Sequence, residues 1–198
     1  MSEPAPPLSS LAAVIAAGGA AVIPTDTVYG LCCDAGSEAA VKAMLALKGR
    51  PAGKPAAVAF FSLQAALDAL PELHGRTRAA VCALLPGPLT LLVPNPAGRF
   101  PLSGGTLLGI RVIEAPLQPG RPLLLTSANL AGGGDPRTPA EIPASIAAGV
   151  ALVIDGGELP GTPSTVVDLG ELEATGRWRI VRAGALPRTA VQRALVGS

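Results

Sequence analysis

The residues of this chain best suited to chemistry fall in short polar stretches set between apolar runs. The first is Pro24–Leu31, PTDTVYGL, where Thr25, Asp26 and Thr27 follow the apolar Ala20–Ile23. Hydroxyls and a carboxylate gathered where a strand would leave a sheet edge point to a site more than to a fold requirement, and Gly30 permits a turn or close backbone approach. The second is Lys48–Pro55, KGRPAGKP, where Lys48, Arg50 and Lys54 stand among Gly49, Pro51, Gly53 and Pro55. Arginine pairs phosphate or carboxylate oxygens through its planar fork and lysine supplies a compact charge, so this stretch reads as an anion site or as a solvated basic loop. The third is TSAN at Thr126–Asn129, whose Ser127 and Asn129 can bind a polar ligand or cap a turn.

Three further positions join these. Arg111 lies inside GIRVI, where an unpaired buried charge is costly. A ligand anion in a cleft would resolve that cost, and so would a structural pair with Glu114 or another acid. Ser164, before Val166–Val167 in GTPSTVVD, can orient an amino acid or phosphate, or begin a strand. Arg182 in RIVRAGAL can meet a nucleotide phosphate or make a structural ion pair. His74 is the sole histidine, which rules out a polyhistidine metal site; it reads as an ordinary surface or partly packed residue. No Ser–His–acid arrangement surrounds Ser127 or Ser164, and Asp26 and Asp34 make no recognisable metal cluster. Cys32, Cys33 and Cys82 fit neither a metal knuckle nor a disulfide framework and are expected as buried thiols.

These positions need a scaffold, and short apolar runs between helices and turns provide one. Helices are expected at Leu8–Ala17, with Ser9 or Ser10 near its cap, and at Glu38–Leu47, Leu63–Leu70, Arg76–Leu84 and Ala140–Ala148. Strands are expected at Ala20–Ile23, Ala57–Phe61, Leu89–Val93, Leu107–Val112, Leu123–Thr126, Val150–Asp155, Thr165–Asp168 and Trp178–Val181. The pattern predicts an α/β fold with a twisted mixed central sheet flanked by helices. With no GxGxxG or GxxxxGK[ST] run, a simple parallel dinucleotide fold is not expected.

Composition fits one such domain. The 198 residues are 49% hydrophobic, and 24 glycines and 21 prolines are spread through apolar sequence, as tight loops between short elements require. Net charge is near zero, but Lys48–Arg121 carries eight Lys or Arg against three acids, a field for phosphates or RNA or a set of solvated loops. The N-terminal SEPAPPLSS lacks a signal-peptide pattern, and no apolar run reaches about 18 residues, so a soluble cytoplasmic protein with no membrane association is expected. Residues 1–7 read as a flexible tail, 8–187 as the folded domain and 188–198 as a C-terminal extension.

Taken in order, PTDTVYGL, KGRPAGKP, PGPLTLLVP, GIRV, TSANLAG and STVVD resemble the YrdC/Sua5 family of threonylcarbamoyl-AMP synthases over roughly residues 8–187. The resemblance implies a central twisted sheet with a large basic concave cavity. It implies synthesis of L-threonylcarbamoyladenylate from L-threonine, bicarbonate or carbon dioxide, and ATP, with release of pyrophosphate. That product feeds N6-threonylcarbamoylation of an adenosine in tRNAs reading codons that begin with A, so tRNA and downstream threonylcarbamoyl-transfer enzymes are implied partners. The length matches the short bacterial form. Mg²⁺ is expected to arrive with the ATP phosphates and retained waters, without a dedicated protein metal site.

Carried onto matching positions, Lys48, Arg50 and Arg111 resemble the catalytic cations. Thr27, Arg111, Ser127 and Ser164 resemble the L-threonine ligands, and Arg50, Lys54, Asn129 and Arg182 the ATP ligands. Lys48→Ala is expected to impair threonine-dependent pyrophosphate formation with the fold largely intact. The chain departs from the family pattern at Ala59, often histidine, at Ile113 and Glu114, often Pro and His, at Ala131, often Ser, and at Arg137, often Thr. Two other functions are weighed. One is a noncatalytic tRNA or double-stranded-RNA-binding module using the basic excess. The other is a carbamoyl-adenylating maturation enzyme that uses carbamoyl phosphate, whose accessory domains a chain this short would lack.

Overall fold

The computed structural model describes residues 8–49 and 56–196. Among these residues nine strands form one sheet: β1 Ala21–Ile23, β2 Gly30–Asp34, β3 Ala57–Phe60, β4 Leu89–Pro94, β5 Leu107–Val112, β6 Leu123–Ser127, β7 Leu152–Val153, β8 Thr165–Asp168 and β9 Arg179–Arg182. Their order is β7-β1-β2-β6-β3-β5-β4-β8-β9. The β1/β7, β3/β5 and β4/β8 pairs are parallel and the other neighbours antiparallel, so the sheet is mixed, as expected.

Strand periodicity explains how one sheet supports both a core and a site. Alternate residues point to opposite faces. Leu31 and Cys33, Val58 and Phe60, Leu89, Leu91 and Val93, and Leu108, Ile110 and Val112 all enter the larger core. That face is covered by α2 Glu38–Leu47, α3 Leu63–Ala69, α4 Gly75–Leu84, α5 Ala144–Gly149, α6 Leu172–Thr175 and α7 Arg188–Val196. Met44, Ala66, Val81, Ile146, Leu172 and Val191 are the residues these helices bury there. Hydroxyl caps start two of them: Ser37 Oγ accepts from Ala40 N at 3.3 Å, and Ser62 Oγ from Ala65 N at 3.1 Å.

Among the described residues, the opposite face is covered over only part of its width. There α1 Leu8–Ala16 sets Leu11 and Ile15 against Ala21, Ile23, Cys32, Leu123 and Ile154 in a smaller core. Toward β4 and β8 the same face carries Gly109, Thr90, Leu92 and Val166, which line a cavity.

Several elements differ from expectation. Gly30–Asp34 is a central strand, not a turn leading back into the chain, and pairs with both β1 and β6. The expected helix at 140–148 is a 3₁₀ turn, Pro139–Glu141, followed by α5, because Pro143 interrupts it. The strand expected over 150–155 contracts to Leu152–Val153, and Ser9 and Ser10 lie within the first turn of α1. Of the cysteines, Cys32 and Cys33 are buried as expected, whereas Cys82 is exposed because it falls on the outer side of α4.

Candidate active site

The first loop, Pro24–Tyr29, is organised by Thr25. Its Oγ1 donates to Val28 O at 2.7 Å and accepts from Thr27 N at 3.2 Å and Val28 N at 3.3 Å. This local hydroxyl-to-backbone turn holds Thr27 fully buried and Asp26 beside it. The loop is tied outward as well. Tyr29 N donates to Pro136 O and Gly161 N to Thr27 O, each at 2.9 Å. The Tyr29 hydroxyl donates to Gly157 O at 2.7 Å and accepts from Gly156 N at 2.9 Å. Gly30 completes the loop where space is tight: a Cβ there would stand 2.5 Å from Leu125 Cδ1, so that side chain would have to shift.

Arg111 reaches this loop from β5. Its Nη2 donates to Asp26 Oδ1 in a short ion pair and to Thr27 Oγ1 at 3.2 Å, while its Nε is buried without a partner among the described residues. Glu114 lies past the strand end and is exposed, so Asp26 is the acid that resolves part of the arginine's burial. Burial pushes the Asp26 carboxyl above its ordinary value, against the opposing pull of Arg111. Burial likewise lowers the pKa of Arg111; Asp26 opposes that shift, and the like charge of Arg182 adds to it.

Arg182, exposed on the edge strand β9, donates from Nη2 to Ser164 O at 2.8 Å and to Ser164 Oγ at 3.1 Å. Ser164 Oγ also shares a hydrogen bond with Thr90 Oγ1 at 3.0 Å. Close backbone packing fixes this corner: a Cβ at Gly184 would stand 2.2 Å from Pro163 O. Of the two readings of Arg182, the structural ion pair is not among the described contacts, where its side-chain bonds go to the serine.

These groups meet at one cavity of about 230 Å³. Arg111, Ser127, Ser164 and Arg182 line it, together with Thr25, Thr90 and Asp135. Sheet register gathers them. Gly30 is paired with Ser127, Ala57 with Gly109 and with Leu125, and Val166 with Thr90 on one side and Arg182 on the other. Thr27 stands just behind the lining and orients Arg111.

Lys48 and Asn129 form the support under the TSAN turn. The buried Lys48 Nζ donates to Ser127 O at 2.5 Å, Asn129 O at 2.8 Å and Asn129 Oδ1 at 2.6 Å. Ser127 Oγ donates to the same Asn129 Oδ1 at 2.7 Å, and Asn129 Nδ2 to Gly133 O at 2.5 Å. Arg50 and Lys54 lie outside the described residues. His74 is exposed at the start of α4, away from the cavity lining.

Sequence reasoning missed Asp26 as Arg111's partner, Thr90, Asp135 and the 155–163 segment that covers the first loop. The first two sit inside the PTDT and PGPLT motifs, so only their long-range partners were hidden. Among the departures, Ala59 is the register partner of Arg111 on β3, and Ile113 packs in the smaller core. Ala131 N donates to Lys48 O at 3.2 Å, whereas Arg137 turns outward to Glu158 at 2.5 Å.

The Sua5/YciO/YrdC family model, described as telomere recombination, matches residues 13–184. The chain belongs to the Sua5/YciO/YrdC family. Among family members, a threonylcarbamoyl-AMP synthase of Mus musculus is 33% identical over 197 residues, spanning 89% of this chain and 66% of the mouse protein. One from Chromohalobacter salexigens is 33% identical over 187 residues, spanning 89% of this chain and 100% of the bacterial protein. The crystal structure of Pyrococcus abyssi Sua5 complexed with L-threonine matches with a TM-score of 0.82 at 28% identity, over 94% of this chain and 56% of that one. The chain thus spans just under two thirds of the mouse relative and little more than half of the archaeal one.

Proposed function

We propose that this family member is an L-threonylcarbamoyladenylate synthase, joining L-threonine, bicarbonate or carbon dioxide, and ATP with release of pyrophosphate. The carrying observation is the buried Arg111, its Nε unpartnered and a second cation, Arg182, on the same cavity. Two like charges there, balanced in part by Asp26, favour an anionic ligand. The relatives named threonylcarbamoyl-AMP synthase and the L-threonine complex of Sua5 support the choice of anions.

In this reading the threonine amine adds to carbon dioxide, or condenses with bicarbonate, to give N-carboxythreonine. Its new carboxylate oxygen attacks the α-phosphorus of ATP, and the bond to the leaving pyrophosphate breaks. Arg111 holds the amino-acid carboxylate or a nearby phosphate, with Thr27 fixing the guanidinium. Ser127 and Ser164 orient threonine, and Asn129 and Arg182 serve ATP. Lys48 sets the TSAN turn, and Arg50 and Lys54 complete the cationic set around the phosphates. Alignment of the reactants and preorganised positive charge supply the rate, without a covalent enzyme intermediate.

Among the described residues no three His, Cys, Asp or Glu side chains gather as a metal-binding group. In this reading Mg²⁺ comes as an ion carried by triphosphate oxygens and water. Mg²⁺ bound to ATP neutralises charge on the departing pyrophosphate. The adenylate is a reactive mixed anhydride, passed to threonylcarbamoyl-transfer enzymes acting on tRNA. No helix among the described residues is long and apolar enough to cross a membrane, and we place the reaction in the cytoplasm.

The test is purified protein with labelled L-threonine, bicarbonate and Mg-ATP, followed by rapid detection of adenylate and pyrophosphate. Product formation that needs all three substrates is expected. Pyrophosphate release independent of threonine, or salt-sensitive RNA binding without any adenylate, would refute the assignment.

A further inference from the structure

The cavity holds an acid that the mechanism above leaves unused. Asp135 lines it, half-buried, opposite in charge to Arg111 and Arg182. Unlike Asp26, which is tied to Arg111, Asp135 makes no hydrogen bond or ion pair among the described residues. Its place is nonetheless fixed, because the next residue, Pro136, accepts from Tyr29 N at 2.9 Å. Val28 and Gly30, on either side of Tyr29, line the same cavity, so Asp135 borders that wall. The same Pro24–Gly30 stretch also orients Arg111 through Asp26 and Thr27. One short loop therefore fixes both a cation and an anion against a single small cavity.

With Asp26 already paired to Arg111, Asp135 brings a further negative charge to the cavity that Arg111 and Arg182 line, and a ligand carrying both signs of charge meets that lining better than a purely anionic one. Of the three substrates proposed above, ATP and bicarbonate are anions. An amino acid is a zwitterion, and its α-ammonium is the one cationic group the organic substrates offer. We propose that Asp135 receives the α-ammonium of the amino-acid substrate while Arg111 receives its carboxylate. Asp135 is thereby a specificity-determining residue that selects α-amino acids over their deaminated or N-acylated analogues. This rests on the reading of the cavity as a threonine site.

The experiment compares wild type, Asp135→Asn and Asp135→Glu for binding of L-threonine, N-acetyl-L-threonine and Mg-ATP by calorimetry, with KM and kcat measured for each substrate. Loss of one charge-assisted contact is expected to weaken L-threonine binding at least about tenfold in D135N and to leave Mg-ATP within about twofold. The preference of wild type for L-threonine over its N-acetyl analogue is expected to narrow in D135N and to recover in part in D135E. Three outcomes overturn the proposal: unchanged threonine affinity in D135N, weakened Mg-ATP with threonine unaffected, or equal weakening of both ligands. The second would assign Asp135 to the ribose or the phosphate-bound metal, and the third to loop structure. Wild-type protein that fails to bind L-threonine would overturn the threonine-site reading itself.

Discussion

Replacing the Asp26–Arg111 pair by neutral residues is expected to stabilise the protein while abolishing its chemistry. The side chains are 26% and 8% exposed, and both groups are shifted in the direction that burial dictates, carboxyl up and guanidinium down. Desolvation therefore exceeds their mutual attraction, and the Arg111 Nε is left without a partner as well. Neutral replacement of such a pair is typically neutral or stabilising by about 1–4 kcal/mol. A midrange gain of about 2 kcal/mol corresponds to a rise of about 4–8 °C in the melting temperature of a chain this long. The variant is Asp26→Asn with Arg111→Met, melted without substrates and assayed for threonine-dependent pyrophosphate.

The pH dependence follows from the raised carboxyl. Folded Asp26 holds its proton more tightly than the unfolded chain does. Its contribution is thus complete below the ordinary value of 3.8 and is lost as pH rises from there through the higher folded value. The double variant lacks that loss, so its advantage over wild type should widen with pH across the window. A double variant melting several degrees below wild type, or one that still makes the adenylate, would refute the argument.

Three other outcomes are expected. Gly184→Ala forces a Cβ to 2.2 Å from Pro163 O and 2.5 Å from Ser164 C, so it should cost about 1–3 kcal/mol and separate Arg182 from Ser164; unchanged melting and turnover would contradict this. Lys48→Met strips the donor from Ser127 and Asn129 oxygens, so it should lose about 1–3 kcal/mol along with activity, and amide exchange should quicken over 127–133. Iodoacetamide at about pH 8 should add one label, on Cys82, because burial raises Cys32 and pushes Cys33 up to about 12; a second adduct on native protein would refute it.

Strands with long aliphatic runs, such as Leu107–Val112 and Leu123–Ser127, were legible because alternate residues must fill a core. Gly30–Asp34 was not, since GLCCD opens on a glycine and its small residues pack on both faces of a central strand. Site residues were legible by type, and Arg111, Ser127, Ser164 and Arg182 do meet at one cavity. Their partners were hidden by distance along the chain. Asp26 and Arg111 are 85 residues apart, and Glu114 looked eligible only by proximity in sequence. Lys48 looked like a solvent-facing ligand among glycines and prolines, yet its ammonium is enclosed by a turn 79 to 81 residues away.

The outermost position of β9 has a bearing on biosynthesis. Arg182 is among the last of the cavity's residues to leave the ribosome, after every strand but its own has been made. A nascent polypeptide whose emerged part ends before Arg179 contains eight of the nine described strands, yet only one of the two arginines that line the cavity. Ligand affinity of stalled chains should therefore rise in a step at the final strand, long after compactness is reached.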